Sequence, residues 1–291
     1  MNRHQRLGFL SRLKGLRVVV ENKKILTGLC MTVGWYIFAI VASYLSPYRP
    51  RTIGDVPVNL PPSWEHPLGS DPLGRDIFTQ LVHASINSMQ IGFTAGIVAF
   101  MVATLLGLIA GYHGGILDSV ISLVTEIFIT IPSLAILLIV AAVIGRIEVI
   151  TMALLLAVFG WAFPCKVLRS QALILKERGF IKLARLSGAN GLEIVIKSIL
   201  PNMLPFLGAW FAFVVIGAME AEAGLELIGL GPQTIVSLGL MLNWAMRHVA
   251  FTRGLIHWWL PPALVLVWIF VGLFIVSFGL DEIGNPKLKV K

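Results

Sequence analysis

Long apolar stretches separated by short polar ones run along almost the whole chain. Six are long enough for a helix to cross a hydrocarbon core about 30 Å thick, which takes roughly 20 residues. Their continuity argues against a membrane β-barrel, whose strands alternate apolar and polar residues over short segments. The pattern predicts an all-α polytopic membrane protein with about six transmembrane helices. The stretches are Ile25–Leu45, Ser88–Gly111, Val120–Ile144, Val149–Leu168, Met203–Leu230 and Ile256–Leu280.

Composition places the chain in the same class. Of its 291 residues, 57% are hydrophobic and 13% are charged, and the mean hydropathy of +0.85 lies far from soluble globular norms. The first stretch is longer than the roughly 7–15-residue apolar core of a signal peptide and lacks a small-residue cleavage pattern after it. We therefore expect it to be a retained membrane anchor.

The distribution of positive charge predicts the orientation. Segments 1–24, 165–200 and 281–291 hold 17 of the 23 Lys and Arg residues. Because cytosolic loops of membrane proteins are enriched in Lys and Arg, these three segments and both termini are expected in the cytosol. The net charge of +8 is then explained by topology and anionic lipid, and it gives no indication of nucleic acid.

This topology divides the chain into five parts. They are a cytosolic basic segment 1–24, a first transmembrane helix 25–45, an extracytoplasmic shelf 46–87, a transmembrane core 88–280 with a cytosolic loop 169–202, and a cytosolic tail 281–291. The shelf is rich in Pro and Gly, which favours an ordered turn structure outside the membrane.

Catalytic and cofactor motifs are missing from the sequence. There is no P-loop, no H-E-x-x-H and no G-x-S-x-G. Cys30 and Cys165 have neither the spacing nor the location of a disulfide or a metal site. We expect no catalytic residue, no metal and no bound cofactor, so uphill transport would depend on an ion gradient or on a separate ATPase.

The loop 169–202 has its own predicted structure. Gly188 interrupts a helical pattern, and Asn190 followed by Glu193 predicts a helix start in which Asn caps and Glu reaches back to it. The short helix 191–199 is expected to end at Pro201.

Before Gly188, apolar residues from Phe180 to Leu186 surround Lys182 and Arg185 and predict an apolar knob rimmed by positive charge. Such a knob fits a groove on a partner protein. A basic amphipathic helix lying on lipid headgroups fits the same residues equally well.

Several segments resemble known permeases. Lys182-Leu183-Ala184, Gly188 and Leu200-Pro201 resemble the EAA loop of type I ABC importer permeases, with the Gly-to-Pro spacing kept and Lys182 in place of Glu. HPLGSDPLGRD at 66–76 resembles the H-x-L-G-T-D-x-x-G-R-D signature of the dipeptide/oligopeptide permease family. GLIAGYHGG at 107–115 resembles a turn of that family, and EAGLELIGLG at 222–231 is similar to its E-x-x-L-S-F-L-G-L-G segment, with Glu226 replacing Ser.

The resemblance implies a type I ABC importer permease, most like the second subunit of the permease pair in these importers. It implies half of a translocation path for di- or oligopeptides, a second homologous permease in a heterodimer, and an extracytoplasmic solute-binding protein. It also implies two ATP-binding subunits that carry ATP and Mg. The expected location is the cytoplasmic (inner) membrane of a prokaryote.

The resemblance also assigns residues. Contact with the ATPase would fall to the loop residues Lys182, Leu183, Ala184, Arg185, Gly188, Ala189, Asn190, Leu200 and Pro201. The shelf residues Asp71, Gly74, Arg75 and Asp76, expected to form a local ion-paired turn, would lie near the docked binding protein or would only seat the second helix.

Polar and aromatic residues at membrane depth are the candidates for the translocation path. Glu126, Glu222 and Glu226 are costly to expose to lipid, and Glu222 and Glu226 lie four apart on one helix face. They are interpreted either as packing and pairing groups or as path residues. Trp244 and His248 belong to an aromatic loop. We interpret this loop either as an anchor at the bilayer interface or as part of the lining of the translocation path.

Two alternatives stay open for the function. The same machinery imports oligosaccharides or nickel in relatives of the family, although no Cys/His/Met cluster argues for a metal. A proton-coupled secondary transporter would use the buried glutamates instead, but the inverted repeats that it predicts are not seen in the sequence.

Overall fold

A computed structural model describes residues 22–145 and 147–284, and this part of the chain is α-helical, as the sequence predicts. Its only β-type pairing is an isolated bridge between Ser70 and Asp76. The predicted basic ends lie mostly outside the described residues. The helices are α1 (Lys23–Leu45), α2 (Ile77–His113), α3 (Gly115–Thr130), α4 (Ser133–Ile144), α5 (Val149–Gly160), α6 (Ala162–Lys176), α7 (Gly179–Leu186), α8 (Gly191–Ile194), α9 (Leu200–Leu227), α10 (Leu238–Arg247) and α11 (Ile256–Gly284).

Four helical segments are long and apolar enough to cross a membrane by themselves, namely α1, α2, α8 to α9 and α11. Two further spans are bent pairs, α3 with α4 and α5 with α6, which gives up to six spans when each pair counts as one. The predicted number of about six is confirmed. The second span starts at Ile77 rather than Ser88, so the shelf ends at Asp76, whose side chain caps α2.

Prolines explain the two bends. The α3–α4 pair bends by 77° at Ile131–Pro132, where the proline ring cannot continue the preceding helix. The α5–α6 pair bends by 45° at Trp161. Helical hydrogen bonding resumes where Cys165 N donates to Trp161 O at 3.0 Å. Pro164 lies in the first turn of α6, where its ring excludes the carbonyl four residues before it.

Helix α2 is the central element of the bundle, about 55 Å long at 1.5 Å per residue. It packs against α1, α5, α6 and α9. Gly107 and Gly111 allow α6 to approach, since a Cβ at Gly111 would lie 2.7 Å from Ala172 Cβ. The two glycines stand four residues apart on one helix face, a small-residue spacing that permits this close packing.

The two ends of α2 define the two ends of the molecule. At its start lie the shelf, residues 46–76, and the segment 228–255. We call these two segments together the shelf end. At its finish lies the segment between α6 and α9, residues 177–199, which we call the coupling end. Asn87 donates a hydrogen bond to Val236 O at 2.7 Å at the first end, and Tyr112 contacts Gly191 at the second.

Candidate functional site: coupling segment and groove

The coupling segment, residues 177–201, contains a helix, a glycine turn and a second helix start. Helix α7 ends where Gly188, with a φ of +83°, adopts the left-handed conformation that glycine tolerates best. Ala189 N then donates to Ala184 O at 3.2 Å, which closes the turn. Asn190 Oδ1 accepts from Glu193 N at 2.8 Å, so the predicted helix cap is confirmed.

Two local predictions for this segment are wrong. Glu193 does not reach back to the cap, because its carboxylate accepts from Lys197 Nζ at 2.6 Å, one turn further along. Pro201 does not end the helix. A π-helical turn at Val195–Ile199, in which Leu200 N donates to Val195 O, leads directly into α9. Pro201 is tolerated because it stands in the first turn of α9, where it interrupts the fewest hydrogen bonds.

The coupling segment is anchored to the bundle through one apolar side. Ile181, Ile194 and Ile199 are fully buried, in a cluster with Leu168 and Met203. This cluster joins α7, α8 and the π-turn to α6 and α9, so the segment is packed firmly against both helices. Because α8, the π-turn and α9 are continuous, a displacement at the coupling end is carried into the span itself.

The opposite side of the coupling segment is apolar and exposed. Leu183, Leu186 and Leu192 are among the exposed large hydrophobic residues at this end, together with Phe180 and Ile196. Lys182 and Arg185 are exposed beside them, and Lys182 Nζ lies 3.5 Å from Glu177. An apolar surface with a charged border at the tip of a bundle is typical of a protein interaction site.

The other coupling residues taken from the resemblance lie in the same segment. Ala184 and Ala189 are half-buried at the turn, and Leu200 is half-buried at the start of α9. Gly188, Asn190 and Pro201 are exposed. The structure therefore brings all nine predicted residues to one end of the molecule, and their contact with an ATPase stays a prediction.

A bidentate ion pair supports this end from the side. Arg169 on α6 donates two hydrogen bonds to Asp118 on α3, the Nη2 bond at 2.6 Å, with both side chains partly exposed. Sequence reasoning did not single out this pair, although an acidic residue just after the glycine turn and an arginine at the end of an apolar span are a visible signal.

A groove of about 450 Å³ opens between α4, α5, α6 and α9. Among the described residues, its lining carries no ionisable side chain, and Ser133 supplies the one hydroxyl group. The sequence analysis did not predict this groove. A signal for it exists, because the α9 residues that line it recur at intervals of three and four and so share one helix face. The aromatic and small residues that line it are Phe159, Gly160, Phe163, Trp210, Phe213, Gly217, Ala218 and Ala221.

The predicted path residues lie in separate parts of the molecule and do not form one site. Glu126 on α3 is largely exposed and lies 3.6 Å from Lys166 Nζ. Glu222 and Glu226 are buried inside the chain near the shelf end, where Ser88 and Ser237 hold them. None of the three lines the groove.

The aromatic candidates of the path lie at the shelf end. Trp244, on α10, is half-buried beneath the guanidinium of Arg75. The Nδ1 atom of His248 lies 2.9 Å from Trp244 O, and its ring contacts Trp258. Trp258 is buried in the core, so this part of the aromatic loop does not reach a lipid interface. A role of Trp244 and His248 in the path stays a prediction.

The candidate docking residues of the shelf are buried and hold the shelf together. Asp71 Oδ2 accepts from Arg75 Nε at 2.6 Å, and Asp71 Oδ1 accepts from Arg75 N and Leu73 N. Burial lowers the pKa of the Arg75 guanidinium, and Asp71 opposes that shift. The predicted ion-paired turn is confirmed for Asp71 and Arg75.

The rest of the 66–76 signature is also structural. Asp76 Oδ1 caps α2 by accepting from Thr79 N at 2.7 Å, and its Oδ2 pairs with His66 Nδ1 at 2.9 Å. Gly74 has a φ of +70°, and a Cβ there would lie 2.5 Å from Val56 O. Docking of a binding protein through these four residues stays a prediction. Asp76 and Asp71 contact the start of α2, the first through its cap and the second by accepting from Gln80 Nε2 at 3.2 Å.

The helical bundle and the exposed coupling segment define the class of protein, a permease subunit of an ABC importer. Residues 103–290 match the family described as the binding-protein-dependent transport system inner membrane component. The chain belongs to this family and is therefore a multi-pass component of the inner membrane.

Two curated relatives and one solved structure agree with this assignment. The dipeptide transport system permease protein DppC of Bacillus subtilis (strain 168) is 29% identical over 276 residues, covering 94% of this chain and 85% of that protein. The oligopeptide transport system permease protein OppC of Mycobacterium tuberculosis (strain ATCC 25618 / H37Rv) is 31% identical over 258 residues, covering 86% and 87%.

The structural match is to the MetNI methionine ABC transporter in an inward-facing conformation. It has a TM-score of 0.55 at 22% identity and covers 71% of this chain and 95% of that one. This likeness concerns the fold, which is that of a type I ABC importer permease.

Proposed function

We propose that this chain forms half of the translocation path of an ATP-driven importer for di- or oligopeptides that a solute-binding protein delivers. The observation that carries the proposal is the exposed apolar side of the coupling segment at one end of a family member's helical bundle. The sequence alone left a partner protein and a lipid surface equally open. The family assignment favours the partner protein, since importers of this kind are assemblies of several subunits.

The chemistry of ATP is assigned to other chains. This chain has no phosphate-binding loop, so ATP and Mg would be bound by two ATP-binding subunits. A second, homologous permease would complete the path as a heterodimer, and its contact would close the groove between α4, α5, α6 and α9. No cofactor is assigned to this chain.

The coupling end is placed in the cytosol, together with both termini. The basic segment 165–200 supports this orientation. Lys24 at the start of α1 pairs with Glu282 at the finish of α11. The start of the first span and the finish of the last span therefore lie on the same side of the membrane. The shelf would then lie on the outer side, where a binding protein docks.

In the proposed mechanism, ATP draws the two ATP-binding subunits together and moves the coupling segments with them. Leu183, Leu186 and Leu192 would sit in a groove of the ATPase, while Ile181 and Ile194 transmit the motion to the bundle. Because α9 continues from the π-turn, its groove face carrying Trp210 and Phe213 would move as the path opens outward. Each state must be favoured by a ligand that binds it more tightly.

Peptides are the proposed cargo because the relatives named above are dipeptide and oligopeptide permeases. The groove, without charged groups, offers apolar surface to side chains of many kinds. Oligosaccharides are the second candidate, since Trp210 and Phe213 present aromatic faces that suit sugar rings. Uptake of labelled tripeptides and of labelled trisaccharides by membranes with and without the chain decides between them.

The coupling assignment is tested by changing the exposed apolar side. Leu186→Asp is expected to abolish recovery of the ATP-binding subunits with the tagged chain, because it places a charge in the apolar contact. Ile53→Asp makes the same change at an exposed apolar position of the shelf and should keep that recovery. Equal recovery in both variants would contradict the assignment.

Gly188 gives a second test of the same segment. Its positive φ disfavours β-branched residues, whereas Asn tolerates that conformation. Gly188→Val should lose ATP-dependent uptake at normal membrane levels, and Gly188→Asn should retain most of it. Equal, wild-type uptake in both variants would show that the turn has no part in coupling.

A further inference from the structure

Two buried carboxylic side chains meet near the shelf end of α9. Glu222 and Glu226 lie four residues apart on one face of the helix and are 0% and 1% exposed. Glu222 Oε1 accepts a hydrogen bond from Ser88 Oγ at 2.9 Å, and Glu226 Oε2 accepts one from Ser237 Oγ. The second oxygens, Glu222 Oε2 and Glu226 Oε1, are buried and receive no donor from the described residues. One helical turn separates the two residues, so their side chains are neighbours on the same buried face of α9.

No positive charge of the described residues balances this pair. Neither glutamate takes part in an ion pair within residues 22–145 and 147–284. Helices α4 and α5 and the segment 228–237, which surround the pair, contain no ionisable residue. The titratable groups at the shelf end of the remaining neighbouring elements are His83 on α2, Glu220 on α9, Arg247 on α10 and His257 on α11, with Arg75 placed over Trp244. The loop between α4 and α5, whose Ile147 packs in a cluster with Leu225, adds Glu148, and its Arg146 lies outside the described residues.

The charge state of the pair follows from this environment. Two ionised carboxylates in contact, shielded from water and without a cation, repel each other and lose their hydration. A single proton shared by the two neighbouring carboxyl groups removes one charge and supplies a donor where their second oxygens have none. We propose that Glu222 and Glu226 form one buried proton-binding site, a carboxylic acid–carboxylate pair that holds one shared proton.

The proton-binding site fastens α10 to the bundle. Ser237 caps α10 by accepting from Leu240 N at 3.2 Å, and Ser88 on α2 accepts from Leu238 N at 3.0 Å. Both serines donate to the glutamates, so the pair joins α2, α9 and the start of α10. Loss of the proton leaves two negative charges at this junction and weakens it.

The second carboxylate departs from the family segment that this stretch resembles. Glu226 occupies the position at which the resembling family segment has Ser, and the packing around it makes room. A Cβ at Gly239 would lie 2.9 Å from Glu226 Cβ, and a Cβ at Gly231 would collide with Glu226 Cγ. The site is independent of the proposed cargo and of the coupling to ATP.

Infrared spectroscopy of the full-length chain, purified with the subunits that accompany it, tests the proposal directly. Labelling glutamate with 13C should shift a carbonyl band of a protonated carboxylic acid in the wild type at neutral pH. The band should disappear in Glu226→Gln and in Glu222→Gln, because each amide supplies a donor to the remaining carboxylate. It should persist in Glu220→Gln, whose side chain is exposed on the same helix.

Thermal unfolding gives a second readout. A proton held more tightly in the folded than in the unfolded state contributes stability that is lost as the pH rises above the ordinary pKa of glutamate, so Tm of the wild type should fall over that rise more than that of Glu226→Gln. Absence of the band in the labelled wild type would overturn the proposal without any variant. A Tm that depends on sodium concentration rather than on pH would contradict the proposal that the site binds a proton. It would indicate that the two glutamates bind a metal cation instead.

Discussion

The guanidinium carbon of Arg75 lies 3.9 Å from the centre of the Trp244 ring, which joins the shelf to helix α10. Arg75 also donates to Asp71, which is fully buried. One side chain therefore holds the shelf turn together and connects it to a helix more than 160 positions later in the sequence. A cation over an aromatic face is worth about 0.5–2 kcal/mol, with the larger values where water is excluded.

We expect Arg75→Leu to lower the free energy of unfolding by about 3–5 kcal/mol, because it leaves the Asp71 carboxylate buried without its partner. Arg51→Leu, at an exposed position of the same shelf, should change it by less than about 0.5 kcal/mol. Thermal unfolding followed by tryptophan fluorescence in nanodiscs measures both. A similar small effect of the two substitutions would contradict the structural role of Arg75.

The close packing of α2 on α6 is tested by a pair of glycine substitutions. Gly111→Ala should destabilise the chain by about 1–3 kcal/mol, because its Cβ would meet both Ala172 Cβ and Arg169 O at 2.7 Å. Gly34→Ala, on α1 with open space around it, should stabilise by about 0.5–1 kcal/mol. Unfolding midpoints that move in the same direction would rule out the helix contact at Gly111.

The Asp118–Arg169 pair should show measurable coupling in a double-mutant cycle. With Asp118→Asn and Arg169→Gln, a coupling of about 0.5–1 kcal/mol is expected for a bidentate but partly exposed pair. Glu126 and Lys166 join the same two helices at 3.6 Å with both side chains largely exposed, and their cycle should give a coupling near zero. Equal coupling in the two cycles would contradict the difference in geometry.

The sequence predicts the features that depend on local patterns. The spans follow from apolar length, and the cap at Asn190 follows from the residues next to it. Gly107 and Gly111 follow from their spacing on one helix face. These signals are encoded by neighbours in the chain, so they need no knowledge of the tertiary structure.

Other features depend on distant parts of the chain and could not be predicted in the same way. Asp71 and Arg75 looked like surface groups, but their burial depends on Gln80 and Trp244. Glu193 pairs with Lys197 rather than with the backbone of the helix cap. The local sequence allows either bond, so it does not decide between them. Pro201 continues a helix because the π-turn before it changes the hydrogen bonding, and the groove arises from four helices that meet only in the folded bundle.

The groove predicts a size-dependent effect on transport. A Cβ at Gly217 has open space around it, so Gly217→Leu should fold normally while filling part of the groove. Uptake of peptides with bulky side chains should fall more than uptake of glycine peptides. Competition between labelled triglycine and labelled trileucine measures the ratio, and an equal loss for both peptides would argue against passage along this face.

Site-specific cross-linking tests directly whether the coupling segment contacts an ATP-binding subunit. In a chain with Cys30, which is exposed, replaced by Ser, Leu186→Cys at the coupling end and Tyr44→Cys at the shelf-end finish of α1 give two positions of matched exposure, 85% and 86%. We expect Leu186→Cys to cross-link to an ATP-binding subunit in native membranes and Tyr44→Cys not to do so. Cross-linking of Leu186→Cys only to lipid-facing reagents, with no protein partner, would contradict it.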